Sequence, residues 1–429
     1  MVHHPDICQG DKKVAAQRFA RIVEAHDVLS DPVERRRYDA DRRIRETASS
    51  PSSRPATVTA SEWAYRTPPP VEHETTTAPR KKGKRSGLRL KRVLVLGASL
   101  AIALCLCVVL ASAIGEHLLA SREKENKVAK GPARRQDETA KALGVQKEIT
   151  LALGSKVKMR LVLIPAGKFM MGTPANEKDR SGDEAQHEVT ITNPFYVGVY
   201  HVTKGQFAAF VADTNYMTDA EKDGKAWSWD GTKFREMPGN SWRKTGFQQD
   251  DDHPVVNVSW NDAVAFCNWL GERSGKAVKL PTEAQFEFAN RAGSKATYPW
   301  GDDPDDGKGW CNAADQTAKK QSSGWNVFNW DDGYTFTSPV GKFKANAFGL
   351  YDMTGNAWEW CADWYDNDYY ANSPKTDPPG PATGQFRVLR GGSCGTDPWF
   401  CRSAYRSGNG PVYRNIIIGF RVVALPGSD

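Results

Sequence analysis

The chain has 429 residues, with 58 Lys and Arg against 51 Asp and Glu and a formal net charge of +7. This length allows two or three domains, and thirteen of the 14 Trp lie after residue 226, so the residues able to build a large core are C-terminal. The positive charge is concentrated beside one apolar run, so it does not require nucleic-acid binding, for which the sequence has no motif.

Residues 1–45 contain a His-Pro-Asp triplet at positions 4–6, followed by apolar residues at helical spacing from Ala15 to Leu29. This pattern resembles the second half of a J-domain, the co-chaperone module that stimulates a heat-shock ATPase through its His-Pro-Asp loop. The two helices that normally precede the loop are absent from this sequence. We therefore expect a partial J-domain that engages a heat-shock chaperone only in a chain with a longer N-terminus. An isolated amphipathic helix is the alternative.

An apolar run without charge at residues 93–115 follows a Ser-, Thr- and Pro-rich linker at residues 46–92. Its length matches the roughly 20 residues of a transmembrane helix, and its position so far along the chain argues against a cleaved signal peptide. Eight Lys and Arg stand in the fifteen residues before the run and four in the fifteen after it, which places the N-terminus in the cytoplasm. We expect a single-pass membrane protein in which a second linker, 116–150, leads to an extracytoplasmic domain at 151–429.

The C-terminal domain shows signals of both strands and helices. Residues 161–172 alternate apolar residues around a Pro-Ala-Gly turn, which predicts two strands, and residues 195–200 predict another. Ser or Thr followed three residues later by Gln or Asp predicts helix starts after Thr203, Ser259 and Thr282. Gly-, Asp- and Asn-rich stretches predict long loops between these elements, so the expected fold class is α+β.

Sequence blocks along this domain resemble the formylglycine-generating (sulfatase-modifying factor) family and occur in the same order. The blocks are IPAGKFMMG at 164–172, a long block at 253–293, FGLYDMTGNAWEWCADWY at 348–365, VLRGGS at 388–393 and GFRVV at 419–423. The resemblance implies a C-type-lectin-like fold with long loops and little regular secondary structure.

The resemblance also implies two structural calcium sites built from oxygen ligands. The first, called here the Asn312 site, consists of Asn312, Ala313, Asp332 and Tyr334. The second, the Glu359 site, consists of Asp352, Gly355, Ala357 and Glu359. Carboxylates and carbonyls are the ligands that Ca²⁺ prefers. The alternative is that these acids only cap turns.

The copper site of the oxidising family members is not matched. In those enzymes two thiolates hold copper(I), the first of them three residues after the Ser of Gly-Gly-Ser. Here Thr396 stands three residues after Ser393. If the loop is aligned from Ser393 without gaps, Cys401 takes the position of the second copper thiol. If it is aligned backwards from Pro411, the loop is shorter than in the oxidising enzymes, and Cys401 then lies beyond the position of the pair. This mismatch puts copper binding in doubt.

Four residues remain as candidates for chemistry in the cleft that the family implies: Trp358, Ser393, Cys394 and Cys401. Cys394 and Cys401 are the one local pair able to bind a soft metal, but a disulfide or two buried thiols are the more ordinary interpretations. A bridge between Cys361 and Cys401 is a further alternative, since the outer compartment permits disulfides.

Two functions are compatible with the sequence. One is a metal-dependent oxidase related to the formylglycine generator, or to iron-dependent oxidases of the same fold, that modifies sulfatases. The other is a binding module that presents residues 394–418 to a protein or glycan ligand, which we favour because the copper pair is missing. That region also resembles lectin-like target proteins of diversity-generating retroelements, and the resemblance implies exchangeable positions at 394–400, 407–410 and 415–418.

Overall fold

The computed structural model describes residues 131–427 apart from 155, 178–179, 232–233 and 321–325. Contacts along the backbone divide the chain into two units, Met1–Gly87 and Leu88–Asp429, and all described residues belong to the second. The J-like segment, the first linker and the apolar run at 93–115 lie outside the described residues. Within the described range, no helix is both long and apolar enough to cross a bilayer.

Short strands and helices alternate with long loops. The strands in chain order are β1 (Glu148–Ala152), β2 (Lys158–Ile164), β3 (Gly167–Met171), β4 (His187–Ile191), β5 (Phe195–Gly198), β6 (Lys225–Trp229), β7 (Phe234–Pro238), β8 (Val278–Lys279), β9 (Trp358–Trp364), β10 (Arg387–Arg390), β11 (Ser407–Asn409), β12 (Ile418–Gly419) and β13 (Val423–Ala424). The helices are α1 (131–143), α2 (Lys204–Thr214), α3 (Asp219–Asp223), α4 (Trp260–Ser274), α5 (Glu283–Arg291), α6 (Gln316–Lys319) and α7 (Tyr369–Asn372). This mixture of helices, strands and long loops agrees with the predicted α+β character.

Part of the predicted second linker is folded. Helix α1 falls within it and strand β1 begins within it, and β1 pairs with β2 along its whole length. The side chain of Gln136 in α1 is buried, and its Nε2 donates to the carbonyls of Leu163 at 2.9 Å and Phe348 at 3.0 Å. The folded domain therefore begins before the predicted linker ends. The Lys-, Glu- and Ala-rich composition of this segment is compatible with helix α1 but does not reveal that the helix packs against the domain.

A five-stranded antiparallel sheet forms one layer of the domain, in the order β1, β2, β5, β13, β8. Helices α2 and α4 pack beside it through aromatic rings. The Phe207 and Phe266 rings lie 6.0 Å apart, and the Phe420 ring lies 5.4 Å from that of Phe266. Burying each ring stabilises the fold by about 1.5–3 kcal/mol, so these rings fix the two helices against the sheet.

The three predicted helix starts are confirmed. Thr203, Ser259 and Thr282 each form a complete capping box before α2, α4 and α5 respectively. A fourth capping box, at Thr218 before α3, was not predicted. Side chains at these positions satisfy backbone N–H groups that the first turn of a helix leaves without partners.

The second sheet carries the predicted cleft residues. Its order is β11, β10, β9, β12, and β12 runs parallel to β9, with Ile418 opposite Trp358. Behind it, Arg390 of β10 contacts Glu287 and lies 3.5 Å from Glu283, both of α5, all deeply buried. Because buried charges are tolerated only when paired, these ion pairs fix the sheet to α5.

Candidate functional site

The predicted cleft lies where β9 and β12 meet the loop after β10. Trp358, at the start of β9, donates its backbone N–H to the carbonyl of Ile417 at 2.8 Å and is 8% exposed. Its ring lies 6.0 Å from that of Tyr405. Trp358, a predicted cleft residue, is thus part of the hydrophobic core.

Ser393 and Thr396 close a tight turn on each other. Their hydroxyl oxygens lie 2.6 Å apart, and the Ser393 N–H donates to Thr396 Oγ1 at 2.8 Å. Thr396 also donates its N–H to the carbonyl of Ser393 at 3.0 Å. Both residues are buried. The position that corresponds to the first copper thiol therefore holds a hydroxyl that is already engaged.

The cysteines of the domain are buried and free. Neither the Cys394–Cys401 bridge nor the Cys361–Cys401 bridge is formed, so the interpretation as buried thiols is the one that the structure supports. Burial raises the pKa of Cys394 to about 12 and that of Cys401 well above its usual value. Cys401 Sγ faces the carbonyl of Thr396 at 3.7 Å. A thiol with so high a pKa is a poor nucleophile at neutral pH.

Sequence reasoning missed an aromatic cluster beside the Ser393–Thr396 turn. The Tyr405 ring lies 5.0 Å from that of Trp399 and 4.8 Å from that of Phe400, and all three side chains are half-buried. The guanidinium carbon of Arg402 lies 5.5 Å from the centre of the Trp399 ring. The guanidinium group donates two hydrogen bonds of 2.7 Å to the Glu184 carboxylate. The dense run of aromatic and basic residues at 399–406 was the available signal.

The Asn312 site is assembled from two loops. Asp332 accepts from the backbone N–H of Ala313 at 3.0 Å and of Tyr334 at 2.7 Å, which brings all four predicted ligand residues together. Asn312 is fully buried, and its Nδ2 donates to the carbonyl of Phe336 at 2.9 Å. Its Oδ1 is buried with no hydrogen-bond partner. A buried oxygen without a hydrogen-bond partner among the described residues, close to a half-buried carboxyl group, fits a cation.

A second carboxyl group at this site, Asp315, was not predicted. Its Oδ2 accepts from the Asp332 N–H at 2.5 Å, while its Oδ1 caps α6. Burial raises the pKa of Asp332 to about 8, and repulsion from Asp315 acts in the same direction. In the described part of the chain, no Lys or Arg pairs with either carboxyl group.

The Glu359 site is organised differently. Arg421 donates two hydrogen bonds to the Glu359 carboxylate, from Nε at 2.6 Å and from Nη2 at 2.7 Å. The Nε2 atom of His201 lies 2.9 Å from the Ala357 carbonyl and 3.2 Å from Glu359 Oε1. The fourth residue, Asp352, accepts from the Gly341 N–H at 2.7 Å through Oδ2, whereas its Oδ1 has no partner. Burial raises the pKa of Asp352.

A short stretch after Asp352 connects both sites to the cleft. Gly355 has φ +82°, and a Cβ there would lie 2.3 Å from the Asn312 carbonyl oxygen, so only glycine fits. The next residue, Asn356, donates its N–H to that same carbonyl at 2.7 Å and accepts from the Cys394 N–H at 3.1 Å. Within residues 131–427, no three His, Cys, Asp or Glu side chains meet in an arrangement typical of a metal ion. A calcium site here would therefore need amide and carbonyl oxygens in addition to its carboxylate.

Comparison with known proteins identifies both ends of the chain. A DnaJ-domain family model matches residues 1–39, which confirms the J-domain resemblance. Formylglycine-generating enzyme of Thermomonospora curvata is 38% identical over 297 residues, covering 62% of this chain and 93% of the relative. Inactive C-alpha-formylglycine-generating enzyme 2 of Mus musculus is 33% identical over 309 residues, covering 65% of this chain and 89% of the relative.

A solved structure and a family model both match the C-terminal domain. The structure of PvdO from Pseudomonas aeruginosa has a TM-score of 0.53 and 31% sequence identity, and the match covers 65% of this chain and 98% of PvdO. The family model described as the sulfatase-modifying factor enzyme 1-like domain matches residues 153–425. The chain therefore belongs to the sulfatase-modifying factor family.

Proposed function

We propose that the domain at 151–429 is a non-oxidising, ligand-binding member of this family. The observation that carries the proposal is the turn in which Thr396, at the position of the first copper thiol, is hydrogen-bonded to Ser393. The thiols of Cys394 and Cys401 are buried, and their raised pKa values disfavour the thiolates that copper(I) selects. In this proposal, the described part of the chain does not supply the thiolate pair that the known oxidation requires.

The aromatic cluster supplies the binding surface in this proposal. Half-buried rings of Trp399, Phe400 and Tyr405 stand beside the buried Arg402 guanidinium. Rigid aromatic rings and Arg are the residue types that most often dominate binding energy at interfaces. The ligand class is a protein or a glycan. A sulfatase is one candidate, because relatives are named formylglycine-generating enzymes.

The rest of the chain determines where this binding takes place. We place the domain outside the cytoplasm, anchored by the apolar run at 93–115, with the N-terminus inside. Protease added to cells with an opened outer envelope should digest the chain after Gly115 and spare residues before Arg92. Digestion on the N-terminal side alone would reverse the orientation. A heat-shock chaperone is the proposed partner of the N-terminal segment in a chain with a complete J-domain.

A structural calcium ion at the Asn312 site completes the proposal. Asn312 Oδ1 and the Asp332 carboxylate would hold the ion together with the carbonyls of Ala313 and Tyr334, and the ion would brace the loop that leads to α6. Its role is structural, and no reaction step is assigned to it.

A specific observation also favours the enzyme alternative. The 38% identity to a formylglycine-generating enzyme extends over 93% of that protein. However, a relative named inactive matches at 33%, so overall identity does not separate the two functions. The decisive measurement is oxygen uptake by the purified chain with copper(I) and a cysteine-containing peptide. We expect none, and copper-dependent uptake would replace the binding proposal with the oxidase.

Ligand binding is tested on glycan and peptide arrays probed with the purified chain. Phe400→Ala should abolish binding to the array members that the unmodified chain retains, because it removes one face of the aromatic cluster. Phe386→Ala is the matched control, since Phe386 is 36% exposed and makes no ring contact within that cluster. Equal loss in both variants would show that the cluster is not the binding surface.

A further inference from the structure

We propose that the Glu359 site takes no calcium, because His201 and Arg421 together occupy the place of the cation there. The domain then binds one calcium ion, at the Asn312 site, rather than the two that its ligand residues imply. This inference rests in part on the calcium proposal above, so the experiment below separates the failure of one from the failure of the other.

Arg421 already satisfies the carboxylate that a calcium ion would need. Its Nε and Nη2 atoms donate to the two oxygens of Glu359 at 2.6 and 2.7 Å, and both side chains are buried. Arg421 also donates to the carbonyls of Gly198 at 3.0 Å and Tyr351 at 3.1 Å. A guanidinium held by several elements and always charged cannot move aside without leaving those carbonyls unpaired.

His201 fills the space between two of the four predicted ligands. Its Nε2 lies 2.9 Å from the Ala357 carbonyl and 3.2 Å from Glu359 Oε1. Both oxygens only accept hydrogen bonds, so Nε2 carries a hydrogen that points between them. A calcium ion bonds oxygen at about 2.3–2.6 Å. An ion shared by these two oxygens would therefore collide with the N–H group.

The charges of the two predicted sites lead to the same conclusion. At the Asn312 site, the buried carboxyl group of Asp315 and the half-buried one of Asp332 have no Lys or Arg partner among the described residues. At the Glu359 site, one of the two carboxyl groups is neutralised by Arg421 and also faces His201. A divalent cation would balance the first site, whereas it would leave the second with excess positive charge.

Two buried atoms of this cluster remain without a partner, His201 Nδ1 and Asp352 Oδ1. One imidazole nitrogen and one carboxylate oxygen do not make the six or more oxygen ligands of a calcium site. They are instead the kind of pair that a buried water molecule satisfies.

The test is the number of calcium ions bound by the purified full chain after dialysis against buffered calcium, measured by elemental analysis. We expect one ion for the unmodified chain and none for Asp332→Asn. His201→Glu replaces the N–H donor with a carboxylate, and we expect it to bind one ion more than the unmodified chain. His187→Glu is the control. His187 contacts the Tyr370 ring in a different part of the domain, so this variant should bind the same number as the unmodified chain.

Two ions in the unmodified chain, one of them lost in Asp352→Ala, would overturn the inference, because alanine removes the ligand oxygen altogether. Should His201→Glu fail to fold, Asp352→Ala decides alone: an unchanged number supports the inference, and a lost ion overturns it. If the unmodified chain binds no calcium while His201→Glu binds one, the calcium proposal for the Asn312 site fails, whereas the substitution of the cation by His201 and Arg421 stands.

Discussion

The Asn312 site and the Glu359 site contain the same kinds of ligand, but their charges are balanced by different means. At the Asn312 site, the carboxyl groups of Asp332 and Asp315 adjoin each other without a cationic partner in the described chain. At the Glu359 site, Arg421 and His201 contact the carboxylate directly. The residues around the ligands, and not the ligands alone, therefore decide whether an acidic cluster needs a metal ion.

The largest expected effect comes from removing the internal cation. Arg421→Met leaves the buried Glu359 carboxylate without its partner, and we expect the free energy of unfolding to fall by about 3–5 kcal/mol. The measurement is urea unfolding followed by Trp fluorescence, which reports on the C-terminal domain because thirteen of the 14 Trp lie there. Arg243→Met, at a half-exposed pair with Glu221, is the control and should cost far less. An equal fall in the free energy of unfolding in the two variants would show that Arg421 does not neutralise Glu359 in place of a metal ion.

Calcium should produce the next largest effect, through the Asn312 site. An ion that binds only the folded state raises its stability by about 2.7 kcal/mol at a hundredfold excess over the dissociation constant. Chelation should lower the melting temperature, and Asp332→Asn should abolish that response. Asp331→Asn, at the exposed neighbouring residue, should preserve it. An unchanged melting temperature on chelation would show that Asp332 is a turn cap.

The same site gives a pH dependence with a definite sign. Burial and Asp315 raise the pKa of Asp332 to about 8 in the absence of a metal ion. Calcium must then displace a proton at neutral pH, so its apparent affinity should weaken as the pH falls, by up to about tenfold per unit. Calorimetric titrations at several pH values measure this slope. An affinity independent of pH would mean that the Asp332 carboxyl group is ionised before the ion arrives.

The sequence predicted the scaffold better than the site. Capping boxes at Thr203, Ser259 and Thr282 depend on residues within one turn of each other, so a local pattern is enough to find them. The opposite holds for His201 and Glu359, which are far apart in the chain and meet only through the fold. The resemblance supplied the ligand residues, but it could not supply the side chain that faces them.

Another buried carboxyl group, Asp363 on β9, belongs to neither site and forms no ion pair within the described residues. Burial raises its pKa to about 7, with the Glu283 charge acting in the same direction, while its Oδ2 accepts from the Glu283 N–H at 2.8 Å. Because this pKa is raised, the folded state keeps the Asp363 proton at pH values between the ordinary pKa of Asp and about 7, where the unfolded state has already released it. Its contribution to stability is therefore present at low pH and is lost as the pH rises towards 7.

Asp363→Asn tests this sign, because the amide imitates the protonated acid. As the pH rises from about 5 to about 6.5, the free energy of unfolding of the unmodified chain should fall by about 2 kcal/mol, whereas that of the variant should not. Urea unfolding at both pH values gives the difference. Asp213→Asn, at a surface pair with Arg273, should follow the unmodified chain. Parallel pH profiles for all three proteins would place the Asp363 pKa near its ordinary value.

The smallest expected effect separates the cleft turn from both oxygen-rich sites. Thr396→Val keeps the shape of the side chain but removes the hydroxyl that joins it to the Ser393 hydroxyl and N–H. The Ser393 hydroxyl and N–H each lose a hydrogen-bond partner, so the free energy of unfolding should fall by about 1–2 kcal/mol. The calcium response should not change, because the hydrogen bond from the Asn312 loop, donated by the Ala314 N–H at 3.1 Å, goes to the backbone carbonyl of Thr396 and not to its hydroxyl. Ser393→Ala removes the opposite hydroxyl and serves as the matched variant. If Thr396→Val alters calcium binding while Ser393→Ala does not, the turn and the Asn312 site form one cooperative unit. Thr396 would then belong to the calcium site as well as to the cleft turn.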